Sequence, residues 1–87
     1  MEIKEHIFFL GIGGIGMSAL ARYYNICGAR ISGYDRSSSE LTSELEREGM
    51  QIQYSDDISL LPDNIDRVVF TPAIAKDNKI YQHFVQL

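Results

Sequence analysis

Along the first ten residues apolar positions crowd together. β-branched and aromatic side chains dominate 3–10, and the run Ile7-Phe8-Phe9-Leu10 stops abruptly at Gly11. Apolarity without alternation predicts a strand buried on both faces, as in a parallel sheet. Beyond the glycines that follow, Leu20, Tyr23, Tyr24 and Cys27 recur at helical spacing, which predicts a helix over 17–27 closed by Gly28. A second strand is predicted over 29–34, ending at Asp35. Ser37 precedes Glu40 at the spacing of a capping box, and Leu41 and Leu45 mark the inner face of the helix it would open. Gly49 ends that helix. A short strand over 51–54 then leads through an acidic turn at Asp56 and Asp57 to a short helix reaching Leu61, broken by Pro62. Arg67-Val68-Val69-Phe70 forms a fourth strand, Thr71-Pro72-Ala73-Ile74 a loop, and Asp77 caps a last helix running toward Phe84.

Strands alternating with helices in this order predict an α/β fold: a Rossmann-like, doubly wound parallel sheet with right-handed crossovers. With 87 residues and no repeat or linker, the chain is read as a single small domain over 1–87. Such a sheet commonly takes another strand after its last helix, so the C-terminus is expected to be a boundary inside a longer protein. Composition adds exclusions. Eight basic residues against twelve acidic ones leave a net charge of -4, and no basic cluster occurs, which argues against nucleic acid as a partner. The one cysteine, Cys27, has no partner for an internal disulfide, and no signal segment is evident. No apolar run approaches the roughly 20 residues that span a bilayer. A cytoplasmic protein without a membrane partner is the expectation.

The candidate chemistry lies in Gly11-Ile12-Gly13-Gly14-Ile15-Gly16. Gly11, Gly13 and Gly16 match G-x-G-x-x-G between an apolar strand and a helix, where each glycine has a task. Gly11 permits the tight turn, Gly13 lets the backbone approach a diphosphate, and Gly16 lets the helix pack against the strand. Unpaired N–H groups and the positive end of the helix dipole then face the anion, with the Ser18 hydroxyl as a further donor. Asp35 stands about 20 residues beyond the loop, where doubly wound domains place a carboxylate that accepts from a ribose hydroxyl. Its plainer role is a turn residue capping the next helix. These features alone leave a dinucleotide and other diphosphate ligands open.

Other chemistry-bearing residues carry less. His6 and His83 lie in different elements with no further ligand at metal spacing, so no metal site is expected, and His6 is read as beginning the first strand at the surface. Cys27 has no basic neighbour and is read as a small buried hydrophobe. Glu40, Glu44 and Glu48 recur every fourth residue along one helix, the pattern of a solvated face with like-charge strain. Of the five tyrosines only Tyr34, directly before Asp35, stands near the predicted site.

The run His6-Ile7-Phe8-Phe9-Leu10-Gly11-Ile12-Gly13-Gly14-Ile15-Gly16-Met17-Ser18-Ala19-Leu20-Ala21 resembles the opening of the UDP-N-acetylmuramate L-alanine ligases of the Mur ligase family. Ser32-Gly33-Tyr34-Asp35 is similar to that family's second strand. The run Val68-Val69-Phe70-Thr71-Pro72-Ala73-Ile74-Ala75-Lys76-Asp77-Asn78 resembles its fourth strand and following loop. The resemblance implies an amino-terminal domain that binds UDP-N-acetylmuramic acid. Gly11, Gly13, Gly14, Ile15, Gly16, Met17 and Ser18 would take the diphosphate, and Asp35, Thr71, Pro72 and Ala73 the uridine side. It further implies an ATP-dependent parent enzyme that adds L-alanine to this sugar in peptidoglycan precursor synthesis. There a central domain, with ATP and Mg²⁺, activates the sugar's carboxylate as an acyl phosphate, and a third domain completes the site. Both domains lie outside 1–87. Many members carry Gly-His after the third strand, where this chain has Ser55-Asp56, so a histidine contact to the nucleotide has no counterpart here. Two alternatives stand beside this: a related ligase that reattaches recycled peptide to the same UDP-sugar, whose glycine loop usually looks different, and a regulatory NAD-binding sensor domain, which would use the same loop and Asp35 without catalysis. Neither catalytic residues nor a cofactor are expected within the chain itself. Its lysines, Lys4, Lys76 and Lys79, follow no glycine-rich loop, and Gly16 is followed by Met17-Ser18 rather than by the Lys-[Ser/Thr] of a nucleotide-hydrolysing P-loop.

Overall fold

Every residue of the first strand, β1 (His6–Leu10), is buried in the computed structural model, which describes residues 2–86. The burial arises because β1 is an inner strand of an entirely parallel sheet. Beside it lie β2 (Arg30–Tyr34), β3 (Gln51–Gln53) and β4 (Arg67–Phe70), in the order β3-β2-β1-β4. The register pairs Ile7 with Ile31, Phe9 with Gly33 and Leu10 with Phe70. Strand order reverses between β1 and β4, so the loops after these two strands diverge and leave a crevice beyond their C-terminal ends.

Helices cover both faces, giving the doubly wound α/β domain that alternation predicted. On one face Ile7, Phe9 and Ile31 pack with Ala21 of α1 (Ile15–Ile26) and Leu45 of α2 (Glu40–Arg47). On the other, Phe8, Leu10 and Tyr34 pack with Ile80 and Phe84 of α3 (Lys79–Val85). Leu61, Ile65 and Ile74 close that side from the loops. A short 3-10 turn, Ile58–Leu60, stands where a short helix was expected.

Several local expectations are corrected. α1 starts at Ile15 rather than at 17, and of the predicted set Leu20, Tyr23, Tyr24 and Cys27, Tyr24 packs on the core while Leu20 and Tyr23 are exposed. Ser18 and Ala21 are buried and Met17 packs on the core. Small side chains turned inward let the helix axis approach the sheet, and this outweighs the greater area that larger ones would bury. The cap of α2 is Ser39, not Ser37. Ser39 Oγ accepts from Thr42 N–H at 3.1 Å, and Thr42 Oγ1 accepts from Ser39 N–H at 2.8 Å, so Thr42 completes the capping box. Asn78 rather than Asp77 caps α3, accepting from Tyr81 N–H at 2.8 Å.

His6 is buried rather than at the surface. Its ring lies 2.8 Å from Ser32 Oγ and 3.2 Å from the Asp63 carbonyl, so both ring nitrogens are satisfied inside the domain. Cys27 is only half-buried. The acidic face of α2 is not simply solvated either. Arg22 of α1 donates to Glu48 at 2.7 Å and to Glu44 at 3.4 Å, tying the two helices together and relieving the like-charge strain. The Glu48 carboxyl is held below its ordinary range, first by the hydrogen bond from Arg22.

Candidate nucleotide-diphosphate site

The glycine loop can be followed one backbone N–H at a time. Gly11 turns the chain with φ at +88°, a conformation that costs an L side chain energy and glycine little. Its N–H and that of Ile12 both donate to the Tyr34 carbonyl, at 2.8 and 3.1 Å. Gly13 N–H donates to Asp35 Oδ2 at 2.8 Å, and Gly14 N–H to the Gly11 carbonyl at 3.1 Å. Gly14 is the N-cap of α1 and has no side chain to offer. Ile15, Gly16 and Met17 therefore open the helix with N–H groups that lack intrahelical acceptors, at the positive end of a 12-residue dipole. Ser18 contributes neither of its donors. Its N–H goes to the Gly14 carbonyl at 2.7 Å, and its buried hydroxyl to the Ile15 carbonyl at 3.0 Å.

One glycine role changes in the structure, and Gly13 has a close protein neighbour. A Cβ at Gly16 would meet nothing within 4 Å, so Gly16 is not what lets helix and strand pack; Ser18 and Ala21 have that role. A Cβ at Gly13 would lie 2.7 Å from Asp35 Oδ2 and 3.0 Å from Thr42 Cγ2. The side of Gly13 is thus already filled by protein.

Gly11, Asp35, Thr71 and Ala73 line one crevice of about 340 Å³ at the C-terminal ends of β1, β2 and β4, together with Tyr34, Arg36 and Asn78. Thr71 reaches over the glycine turn so closely that a Cβ at Gly11 would sit 2.7 Å from its Cγ2. Thr71 Oγ1 accepts from Ala73 N–H at 3.3 Å and shapes the loop in which Pro72 is exposed. Gly13, Gly14, Ile15, Gly16, Met17, Ser18 and Pro72 do not line this crevice. Arg36, missed by sequence reasoning, is the one cation among its lining residues; its place directly after Asp35 was the available signal. The Tyr34 phenol is pushed above its usual value by burial and by the nearby Asp56 and Asp35 carboxylates.

Asp56, read from the sequence only as part of an acidic turn, has a further role. Its two carboxylate oxygens accept from Lys79 N–H at 2.8 Å and Ile80 N–H at 3.0 Å, binding the loop after β3 to the start of α3. A larger hollow, about 490 Å³, runs along β3, but its polar groups are engaged elsewhere: Ser32 with His6, Gln53 with the Ser55 and Asp57 carbonyls. Among the described residues no group of three His, Cys, Asp or Glu could hold a metal ion. Among them, too, no helix is long and apolar enough to cross a membrane.

Parallel strands wound on both faces, with a glycine turn opening the first helix at the crevice, define the Rossmann-like class of α/β domains. Within that class the chain belongs to the Mur ligase family: residues 6–86 match the family model described as "Mur ligase family, catalytic domain". It is 46% identical over 84 residues to the UDP-N-acetylmuramate–L-alanine ligase of Christiangramia forsetii, covering 90% of this chain and 19% of that protein. With the ligase of the same name from Porphyromonas gingivalis it shares 38% identity over 85 residues, covering 92% and 19%. The crystal structure of the UDP-N-acetylmuramate-alanine ligase of Thermotoga maritima superposes with a TM-score of 0.84 at 33% identity, covering 93% of this chain and 19% of that one. The chain thus spans about a fifth of the length of these relatives.

Proposed function

We propose that residues 1–87 form the amino-terminal domain that holds UDP-N-acetylmuramic acid for an ATP-dependent, cytoplasmic ligase adding L-alanine in peptidoglycan precursor synthesis. The observation that carries this reading is the glycine loop of a chain whose relatives are named as ligases of that sugar: it opens α1 with three amides, at Ile15, Gly16 and Met17, that lack intrahelical acceptors, and its Gly11 lines the crevice of Asp35, Thr71 and Ala73. The diphosphate sits on those three amides, with Gly11, Gly13 and Gly14 shaping the approach and Ser18 bracing the turn. The uridine side lies toward Asp35, Thr71, Pro72 and Ala73, with Arg36 as a nearby positive charge. ATP and Mg²⁺ act in domains beyond these residues, so the chain by itself turns nothing over.

Calorimetric titration of the 87-residue chain with UDP-N-acetylmuramic acid, UDP and NAD tests the reading. Saturable binding of both uridine compounds, and none of NAD, is expected. Binding of NAD alone would replace this reading with that of a sensor domain. A parallel assay with ATP, Mg²⁺, UDP-N-acetylmuramic acid and L-alanine should release no phosphate above background.

A further inference from the structure

The backbone accounting of the glycine loop assigns Asp35 a part different from a simple ligand contact. Three consecutive amides, Gly11, Ile12 and Gly13, are all tied to the end of β2, two to the Tyr34 carbonyl and one to the Asp35 carboxylate. Gly14 then closes on Gly11. The loop's own donors are spent up to Ile15, and the first free amides are those of α1. The other oxygen of Asp35 accepts from Ser37 N–H at 3.2 Å, in the segment leading to the Ser39 cap of α2. One carboxylate therefore ties the glycine loop to the approach to the second helix. The lack of a side chain at Gly13 is required by Asp35 Oδ2 and by Thr42 Cγ2 of α2, both of which a Cβ would meet at 3.0 Å or less.

Resting on the binding reading above, we propose that Asp35 is a positioning residue for diphosphate binding: it occupies the Gly13 N–H and holds the loop so that the amides of Ile15, Gly16 and Met17 present one fixed anion cradle. Gly13 is glycine to admit this carboxylate rather than a phosphate. A carboxylate placed on an amide the anion could otherwise use is a net competitor if the loop is rigid without it, and a support if it is not. Gly11 at positive φ and the unbranched backbone at Gly13 and Gly14 make the loop deformable when untied, so the support dominates.

The test compares uridine with UDP, whose ratio of affinities reports the phosphate contribution alone, in the parent chain, Asp35→Ala and Asp35→Asn. Folding is verified by amide dispersion in each nitrogen-proton correlation spectrum. Loss of a charge-assisted hydrogen bond that organises the cradle is expected to cut the UDP-to-uridine ratio by about tenfold or more. Uridine affinity, which the binding reading also places beside Asp35, falls by a smaller factor than UDP affinity. The Gly13 amide should shift and lose exchange protection in Asp35→Ala without any ligand present. Asp35→Asn keeps one acceptor for two donors, so its ratio falls between the two. Equal losses for uridine and UDP would make Asp35 a direct ligand contact, and a rise in UDP affinity would make it a competitor; either overturns the proposal. So does an unchanged Gly13 amide in Asp35→Ala while the parent still binds UDP. If the parent binds neither compound, the binding reading fails and this proposal falls with it.

Discussion

Gly13 and Asp35 should behave as one unit in folding, and a double-mutant cycle measures the bond between them. Gly13→Ala places a methyl group where Oδ2 now stands at 2.7 Å, so the carboxylate must leave and the 2.8 Å bond from Gly13 N–H is lost. A hydrogen bond to a charged group contributes about 1.5–3 kcal/mol. Residual crowding against Thr42 Cγ2 at 3.0 Å adds about 1 kcal/mol. The stiffer unfolded chain returns about 0.4–1 kcal/mol. The net cost is about 2–3 kcal/mol. Asp35→Ala removes the same bond and the longer one from Ser37, a loss of about 1.5–3 kcal/mol, toward the lower end because the carboxylate is only half-buried. Independent effects would sum in the double variant. The shared bond is lost only once, however, and removing the carboxylate also removes the clash. The double variant should therefore be more stable than additivity predicts by about 1.5–3 kcal/mol. Urea unfolding of all four chains by linear extrapolation gives the coupling energy directly. Additivity to within about 0.5 kcal/mol would refute the claim that Gly13 is small because Asp35 is there.

Three further outcomes follow from the geometry. Asp56→Ala should cost about 1–2 kcal/mol, because both its oxygens cap α3, and should raise hydrogen exchange at Lys79 and Ile80; unchanged exchange there would deny the cap. Gly33→Ala should cost about 2 kcal/mol or more in urea unfolding, since a Cβ would stand 2.7 Å from the Phe9 carbonyl and 2.8 Å from Ile12 Cδ1 in the buried sheet; a neutral effect would mean that β1 and β2 yield easily. Glu48, its folded pKa lowered by Arg22, contributes stability above its unfolded pKa that is lost as pH falls through the folded value. Arg22→Ala should therefore flatten the acid limb of the urea midpoint against pH, while the part due to Asp57, lowered by its hydrogen bonds from Ser59, persists. An identical acid limb in Arg22→Ala would exclude the pair as a source of acid sensitivity.

The chain's own pattern carried the architecture, because the features that define it are local. A short apolar run without alternation, rich in aromatic residues and ended by a glycine, favours an inner strand followed by a turn, and strand-helix alternation with short connections leaves few topologies open. The family too was legible, since the glycine loop and the Thr71-Pro72-Ala73 segment are contiguous stretches of sequence. What tertiary structure alone decided is which partner each polar group takes. Ser37 is the cap by spacing, yet the chain enters α2 at Ser39, whose side chain and Thr42 satisfy each other's amides, while the Ser37 amide goes to Asp35. Leu20 and Ala21 both fall on plausible helix faces, and the distance from helix to sheet selects the smaller. His6 reads as a surface residue until Ser32 and the Asp63 carbonyl are brought to its two nitrogens from distant parts of the chain. Nor does the sequence show that a carboxylate from the end of the next strand fills the space that Gly13's missing side chain leaves. Turns, strands and helices follow from neighbours along the chain; hydrogen-bond partners follow from neighbours across the sheet, which only folding makes adjacent.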